Sequence, residues 1–318
     1  MAVYTEVSDQ ELETFLADYD IGSPVSFKGI AEGVENTNYV LTTDLGQYMV
    51  TLYEKRVDPR DLPFFLGLMD HLAERGINCP RPIHARDGNA LRTLAGKPAA
   101  VTSFLQGMWP RRMTVQHCGR VGEALAGFHL AGRDFPLRRP NALSVAGWRP
   151  VFEGSRRHID PALECELAAE LDFFEASWPK ELPSGVIHAD MFNDNVFFLH
   201  ERLSGIIDFY FACNDFLAYD VAICLNAWCF EPDNAFNATK ARALLQAYEG
   251  VRRLTKPELD LLPTLARGAA LRFLLTRTYD LINTDANALV KTKDPSEYLR
   301  KLRFHQRVKS YRDYGLGA

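Results

Sequence analysis

The chain has 318 residues, enough for about two lobes with separate cores. Its 47% hydrophobic and 24% charged residues exclude a disordered or fibrous protein, and no charge-free stretch approaches the roughly 20 residues of a membrane span. With 36 basic against 41 acidic side chains, a net charge of −5, it has no general positive field for nucleic acid, so neither nucleic acid nor membrane is expected as a partner.

Glu6, Asp9 and Glu11 stand where a secretory leader would be basic and then apolar, which predicts a cytoplasmic location. Ser8 and Glu11 form a capping-box pattern, and Leu12, Phe15, Leu16 and Tyr19 follow at helical spacing. Beyond the Gly22-Ser23-Pro24 break, runs near 25–30, 38–42 and 48–53 read as an antiparallel meander, with residues 43–46 as the second turn. Leu62, Phe65, Leu66, Met69, Leu72 and Ala73 keep helical period up to Gly76 and Pro80. A further hairpin is predicted from 90–94 and 99–104, turning at Gly96-Lys97-Pro98.

Beyond Gly107 the pattern becomes mainly helical. Cys118, Val121, Leu125 and Phe128 mark one helix, and Leu163, Leu167, Leu171 and Phe174 mark another behind Asp160-Pro161. The exception is 185–208, with short apolar runs at 186–187, 196–199 and 206–207. Helical patterns return near 217–228, 238–249, 258–282 and 295–311, the third opened by a Thr255/Glu258 capping box. The stretch 106–110 divides an N-terminal lobe, 1–106, from a C-terminal lobe, 107–318. The fold class is α+β, an antiparallel sheet lobe with helices followed by a larger, mainly helical lobe. The basic residues Lys291, Lys293, Arg300, Lys301, Arg303, Arg307, Lys309 and Arg312 read as the solvated face of a terminal helix. Six cysteines without a CxxC or a His at zinc-finger spacing read as buried thiols in a reducing compartment.

The segment His188-Ala189-Asp190-Met191-Phe192-Asn193-Asp194-Asn195-Val196, followed by Ile206-Ile207-Asp208-Phe209, carries the chemistry. Taken singly, Asp190, Asn193 and Asp194 are ordinary Asx-turn residues and His188 an ordinary core histidine. The combination is what phosphoryl transfer needs: one carboxylate to accept the acceptor hydroxyl's proton, and an Asn with a second carboxylate to hold Mg²⁺ on nucleotide phosphates. Asp190 and Asn195 are five apart, so one loop can present both, and Asp208 ends the next hairpin strand.

This H-x-D-x(4)-N and I-I-D-F pattern resembles the eukaryotic-like kinase superfamily in its aminoglycoside and choline phosphotransferase branch. The segments 207–215 and 219–224, with Glu35-Asn36-Thr37-Asn38-Tyr39 and Thr51-Leu52-Tyr53-Glu54, look like the bacterial homoserine kinases of that fold. The resemblance implies a two-lobed protein-kinase-like fold, ATP and Mg²⁺ as cofactors, and L-homoserine as acceptor. It assigns Asp190 as base, Asn195 and Asp208 as metal ligands, and His188 as a brace for the catalytic loop. Asp220 matches a position that buttresses that loop, a plain helix N-cap being the alternative. On the nucleotide side, loop amides in 29–38 with Asn36 and Asn38 would cover the phosphates, and backbone groups of the Thr102-Ser103-Phe104-Leu105 connection would read adenine.

In one respect the sequence departs from the family. The strand lysine that holds phosphates falls at Thr51 and its helix glutamate partner near Phe65, so both members of the ion pair are absent. Joint loss leaves no unpaired charge, and Mg²⁺, loop amides and Lys55 or another cation would take over. For the acceptor, Arg272 and Arg277 in an apolar helix and Asn226 and Trp228 are candidates. The alternatives are another small-molecule kinase, acting on choline, methylthioribose or an aminoglycoside, or a catalytically silent nucleotide-binding protein. The expected assembly is a monomer or a homodimer.

Overall fold

The computed structural model describes residues 5–30, 36–54, 57–284 and 292–317. The chain forms two compact units, one of Met1–Gly107, Phe135–Leu137 and Ser204–Tyr210, the other of the remaining three segments.

The first unit begins with α1 (Asp9–Leu16), whose capping box joins Ser8 and Glu11 as their spacing predicts. Strands β1 (Pro24–Gly29), β2 (Thr37–Thr43) and β3 (Gln47–Leu52) form the predicted meander. Burial along β2 alternates residue by residue, the period of a strand with one face on a core. Helix α2 (Leu62–Glu74) buries Phe64, Phe65, Leu68, Met69 and Leu72 and ends before Gly76, whose φ of +81° reverses the chain. Strands β4 (Pro82–Ile83), β5 (Leu91–Leu94) and β6 (Lys97–Ser103) complete an antiparallel sheet of order β1-β2-β3-β6-β4, with β5 also on β6. Leu12, Phe15 and Leu16 of α1 share its core with Leu41, Val50, Leu52 and Val101. The hairpin turns at Ala95 and Gly96, both with positive φ, and not at Gly96 to Pro98. Lys97 and Pro98 are already paired with Leu94 and Thr93, because a two-residue turn matches the twist of its strands. Strand β4, only two residues long, leaves no periodic signal in the sequence.

The second unit contains α3 (Val115–Ala131), α4 (Val145–Ser155) and α5 (Pro161–Ser177), the last capped by Asp160 with Pro161 at its first position. Helix α4 escapes sequence reading because Gly147, Pro150 and Gly154 interrupt it. After β7 (Ser184–Ile187) and β8 (Val196–Leu199), β9 (Arg202–Ile206) leads out of this unit. Strand β10 (Cys213–Phe216) then pairs antiparallel with β7, hidden in the sequence behind its polar Asn214 and Asp215. Helix α6 (Leu217–Trp228) is buried along its whole length, and α7 (Ala238–Val251), α8 (Lys256–Asn283) and α9 (Ser296–His305) follow. Helix α9 stops at His305, short of the expected 311, where Ser310 and Asp313 cap a separate turn. Lys301 on α9 is buried at 3% exposure, so the basic run is not wholly a solvated face. All six thiols are free, and five are buried, but Cys165 is exposed, against expectation. Among the described residues, no helix is long and apolar enough to cross a membrane.

Helices α3 and α7 approach closely at Gly122, where an added Cβ would overlap the backbone oxygen of Leu244. Gly122→Ala is therefore expected to cost about 1–3 kcal/mol. Thermal unfolding should show a midpoint several degrees lower; an unchanged midpoint would mean that the two helices are free to separate.

Candidate active site

In the second unit, the segment from His188 to Asn195 connects β7 to β8 and has its backbone groups pinned from several sides. The N–H groups of His188 and Ala189 donate to the two oxygens of Asp220, at 2.7 and 2.9 Å. The carbonyl of Ala189 accepts from Nη1 of Arg272 at 3.0 Å, and that of Met191 from Nε1 of Trp228 at 2.8 Å. The carbonyl of Asp190 accepts from Nδ2 of Asn195 at 2.8 Å. Ala189 has a φ of +61°, a left-handed conformation that costs an alanine on the order of 1 kcal/mol. The bonds from Asp220 and Arg272 hold it there, which is how strain persists at a functional loop.

These constraints place the side chains. Nδ2 of Asn195 also donates to Oδ2 of Asp190 at 3.1 Å, so the two predicted residues meet, and Oδ1 of Asn195 faces away from that bond. The guanidinium of Arg272 lies 3.9 Å from Oδ1 of Asp190, stacked on Phe273 at 3.9 Å and near Phe211 at 5.3 Å. His188 is fully buried, and its Nδ1 accepts from the Asp190 N–H at 3.3 Å. A buried ring bonded to the loop backbone can orient Asp190 and is poorly placed to touch a ligand.

Asp220 is not an N-cap: Phe216 occupies that position, and Asp220 lies one turn inside α6. Burial alone would raise its carboxyl, but His129 and His188 outweigh that and hold it below the usual carboxylate range. His129, whose Nε2 is 3.2 Å from Asp220 and whose Nδ1 meets the Tyr248 hydroxyl at 2.7 Å, was invisible to sequence reading. Nothing in the spacing of α3 marks it.

Asn226, expected near the acceptor, belongs instead to the interior. Its Nδ2 donates to the carbonyls of Ala222 and Ala266, and its Oδ1 accepts from Nε2 of His305 at 3.2 Å. Burial and the nearby Lys301 pull His305 down to about 3, so the ring is neutral and can carry its proton on Nε2. With 0% exposure and every amide atom bonded within the chain, Asn226 has nothing to offer a substrate. Arg277 is tied to Glu297 at 2.6 Å and covers Tyr298. Trp228 is a core residue that braces the loop.

In the first unit, Asp208 follows β9 with a φ of +64° and is half-buried, ahead of the buried Phe209. Asn36 accepts from the Glu54 N–H at 3.2 Å, and Asn38 accepts from the Thr51 hydroxyl at 2.8 Å. Each spends its carbonyl oxygen on the sheet, leaving the NH₂ group as the part able to meet a phosphate. Ser103 exchanges bonds with Arg81 through its N–H and hydroxyl, which closes the strand connection, while Leu105 packs over Gly205. The N–H and hydroxyl of Ser103 are thus already in use within the strand connection. Around Thr51 and Phe65 the described contacts are aromatic and hydroxyl: Phe65 meets Tyr210 edge-on at 5.6 Å, and the Tyr210 and Tyr53 hydroxyls are 3.4 Å apart. Burial pushes the Tyr53 hydroxyl up to about 12, so it stays neutral. Lys97 is paired with Glu54 at 3.0 Å. Lys55 and loop residues 31–35, both expected to face phosphates, lie outside the described residues.

Among the described residues, no group of three or more His, Cys, Asp or Glu is arranged to hold a metal alone. Magnesium needs no such cage, because it keeps phosphate oxygens and waters and takes one or two protein ligands. An Asn oxygen and an Asp carboxylate are both of the hard-oxygen type that it prefers.

Comparison with known proteins agrees with this chemistry. The model of the phosphotransferase enzyme family matches residues 26–254. The chain is 64% identical to the homoserine kinase of Paramagnetospirillum magneticum, covering 99% of this chain and 100% of that one. It is 63% identical to the homoserine kinase of Bradyrhizobium diazoefficiens, over 99% and 98% of the two chains. An amicoumacin kinase solved with AMP-PNP and Ca²⁺ shares the protein-kinase-like fold, with a TM-score of 0.70 at 15% identity, over 95% of this chain and 93% of the other. With the family model spanning well over half of its length and near-full-length relatives above 60% identity, the chain belongs to the phosphotransferase enzyme family and is a kinase.

Proposed function

We propose that this protein transfers the γ-phosphoryl group of ATP to the hydroxyl of L-homoserine, giving O-phospho-L-homoserine and ADP, a step towards threonine. The observation that carries this reading is the identity of 64% with a homoserine kinase across essentially the whole chain. Asp190 receives the hydroxyl proton as that oxygen attacks the γ-phosphorus in line, while the bond to the β,γ-bridging oxygen breaks. Asn195 and Asp208 would each offer an oxygen to Mg²⁺, which would supply positive charge to the phosphates. His188 and Asp220 hold the loop, and Arg272 orients Asp190 beside the acceptor. Residues 1–106 bind the nucleotide and 107–318 supply the catalytic and acceptor groups, with the amides of Asn36 and Asn38 and the backbone beyond Ser103 contributing to nucleotide binding.

A coupled ADP-release assay over L-homoserine, choline, methylthioribose and an aminoglycoside tests this reading. Turnover with homoserine is expected to exceed that with the others by at least about 100-fold, since a site built for charged groups rejects acceptors lacking them. Turnover confined to another acceptor would refute the homoserine assignment. The replacement of the strand lysine by Thr51 and of its glutamate partner by Phe65 favours one further reading, a silent nucleotide binder, for which Mg·ATP would bind without turnover of any acceptor.

A further inference from the structure

Among the described residues, three buried polar atoms of the second unit have no hydrogen-bond partner: Oδ1 of Asp194 and the hydroxyls of Tyr219 and Tyr298. Tyr298 is wholly buried, and native proteins leave few such groups unsatisfied unless they serve a ligand or water. Oδ1 of Asp194 and the Tyr298 hydroxyl border one aromatic patch. Tyr298 lies 5.2 Å from Phe273 and 6.4 Å from Phe192, and those two rings meet at 4.8 Å. At one end of the patch Arg272 covers Phe273 and approaches Asp190. At the other, Lys293 lies 5.3 Å over Phe192, and its ammonium reaches Oδ2 of Asp194 at 2.8 Å.

The patch therefore offers charges of both signs within reach of the proposed base. A polycation would have no anion of its own for Arg272 and Lys293 once it had taken their acids, and a simple quaternary amine likewise offers those two cations no anionic partner. A small zwitterion answers both signs. We propose that Asp194 and Lys293 form a clamp for the acceptor's amino-acid group, Asp194 taking the ammonium and Lys293 the carboxylate while the side-chain hydroxyl reaches Asp190. This deepens the homoserine reading and rests on it. Exchanging one ion pair for two leaves neither protein charge uncompensated, and since Lys293 and Asp194 are 58% and 42% exposed, separating them costs little.

The test is steady-state kinetics of the full chain with L-homoserine, 4-hydroxybutyrate, which lacks the ammonium, and 3-amino-1-propanol, which lacks the carboxylate. Asp194→Asn is expected to raise the homoserine KM roughly 10- to 100-fold, with kcat and the ATP KM far less affected, and to collapse the preference for homoserine over 4-hydroxybutyrate. Lys293→Gln should instead collapse the preference for homoserine over 3-amino-1-propanol. A merely structural role would depress all acceptors alike, so unchanged preferences in both variants, with homoserine turned over by the unmodified protein, would overturn the clamp alone. Failure of the unmodified protein to phosphorylate homoserine would overturn the proposed function and the clamp together.

Discussion

Asp190→Asn is expected to lower kcat by about 10²- to 10⁴-fold while leaving the ATP KM within a few-fold of its original value. The substitution keeps the shape of the side chain and removes its capacity to take a proton. The surrounding loop should survive it. The carbonyl of Asp190 is held by Asn195, its N–H by His188, and the neighbouring Ala189 by Asp220 and Arg272. None of these backbone bonds depends on the Asp190 carboxylate, so a loss of rate can be read as a loss of chemistry. Single-turnover measurement at saturating ATP separates that effect from product release. Near-normal turnover would show that another group removes the proton, and would shift attention to solvent or the nucleotide itself.

Asp220→Ala is expected to destabilise the fold by about 3–5 kcal/mol and to abolish activity with it. The carboxylate is wholly buried and accepts from two backbone N–H groups and the imidazole of His129. Removing it strands three polar groups in a dry interior and frees Ala189 from its left-handed conformation. Its pH dependence has a definite sign. Because the folded state holds the Asp220 carboxyl below its unfolded value of about 3.9, its contribution to stability is fully present above that value. That contribution is lost as pH falls through the lower, folded pKa. Urea unfolding at pH 7 should therefore show the full deficit of the variant, and the gap between the two proteins should narrow under acid. An equal gap throughout would mean that the ionised carboxylate contributes nothing beyond its shape.

Much of the architecture follows from local rules. The Ser8/Glu11 and Thr255/Glu258 capping boxes form as their spacing implies, because the partners are one turn apart and need no tertiary support. The meander and α2 follow from the spacing of apolar residues, since period 2 and period 3.6 each leave one face to bury. Where that signal is short or broken, as in β4 and α4, pairing and packing supplied by the rest of the chain decide the outcome.

The site divides along the same line. Asp190 and Asn195 stand in one loop, so their meeting could be anticipated from five residues of spacing. Whether a polar residue serves a ligand or the interior depends on what surrounds it, and that cannot be read from its neighbours in sequence. Asn226 and Lys301, 75 positions apart, are joined by a hydrogen bond inside the core, and both looked available to solvent or substrate in the linear pattern. His129 finds Asp220 across 91 positions, and Lys293 finds Asp194 across 99. By itself the sequence determined the reaction class, the meeting of Asp190 with Asn195 in one loop and most helices and strands, all encoded over short spans of chain. Tertiary structure alone decided which charges are buried, which are paired and which remain able to exchange partners, because desolvation and Coulomb energies depend on distance in space and not along the chain.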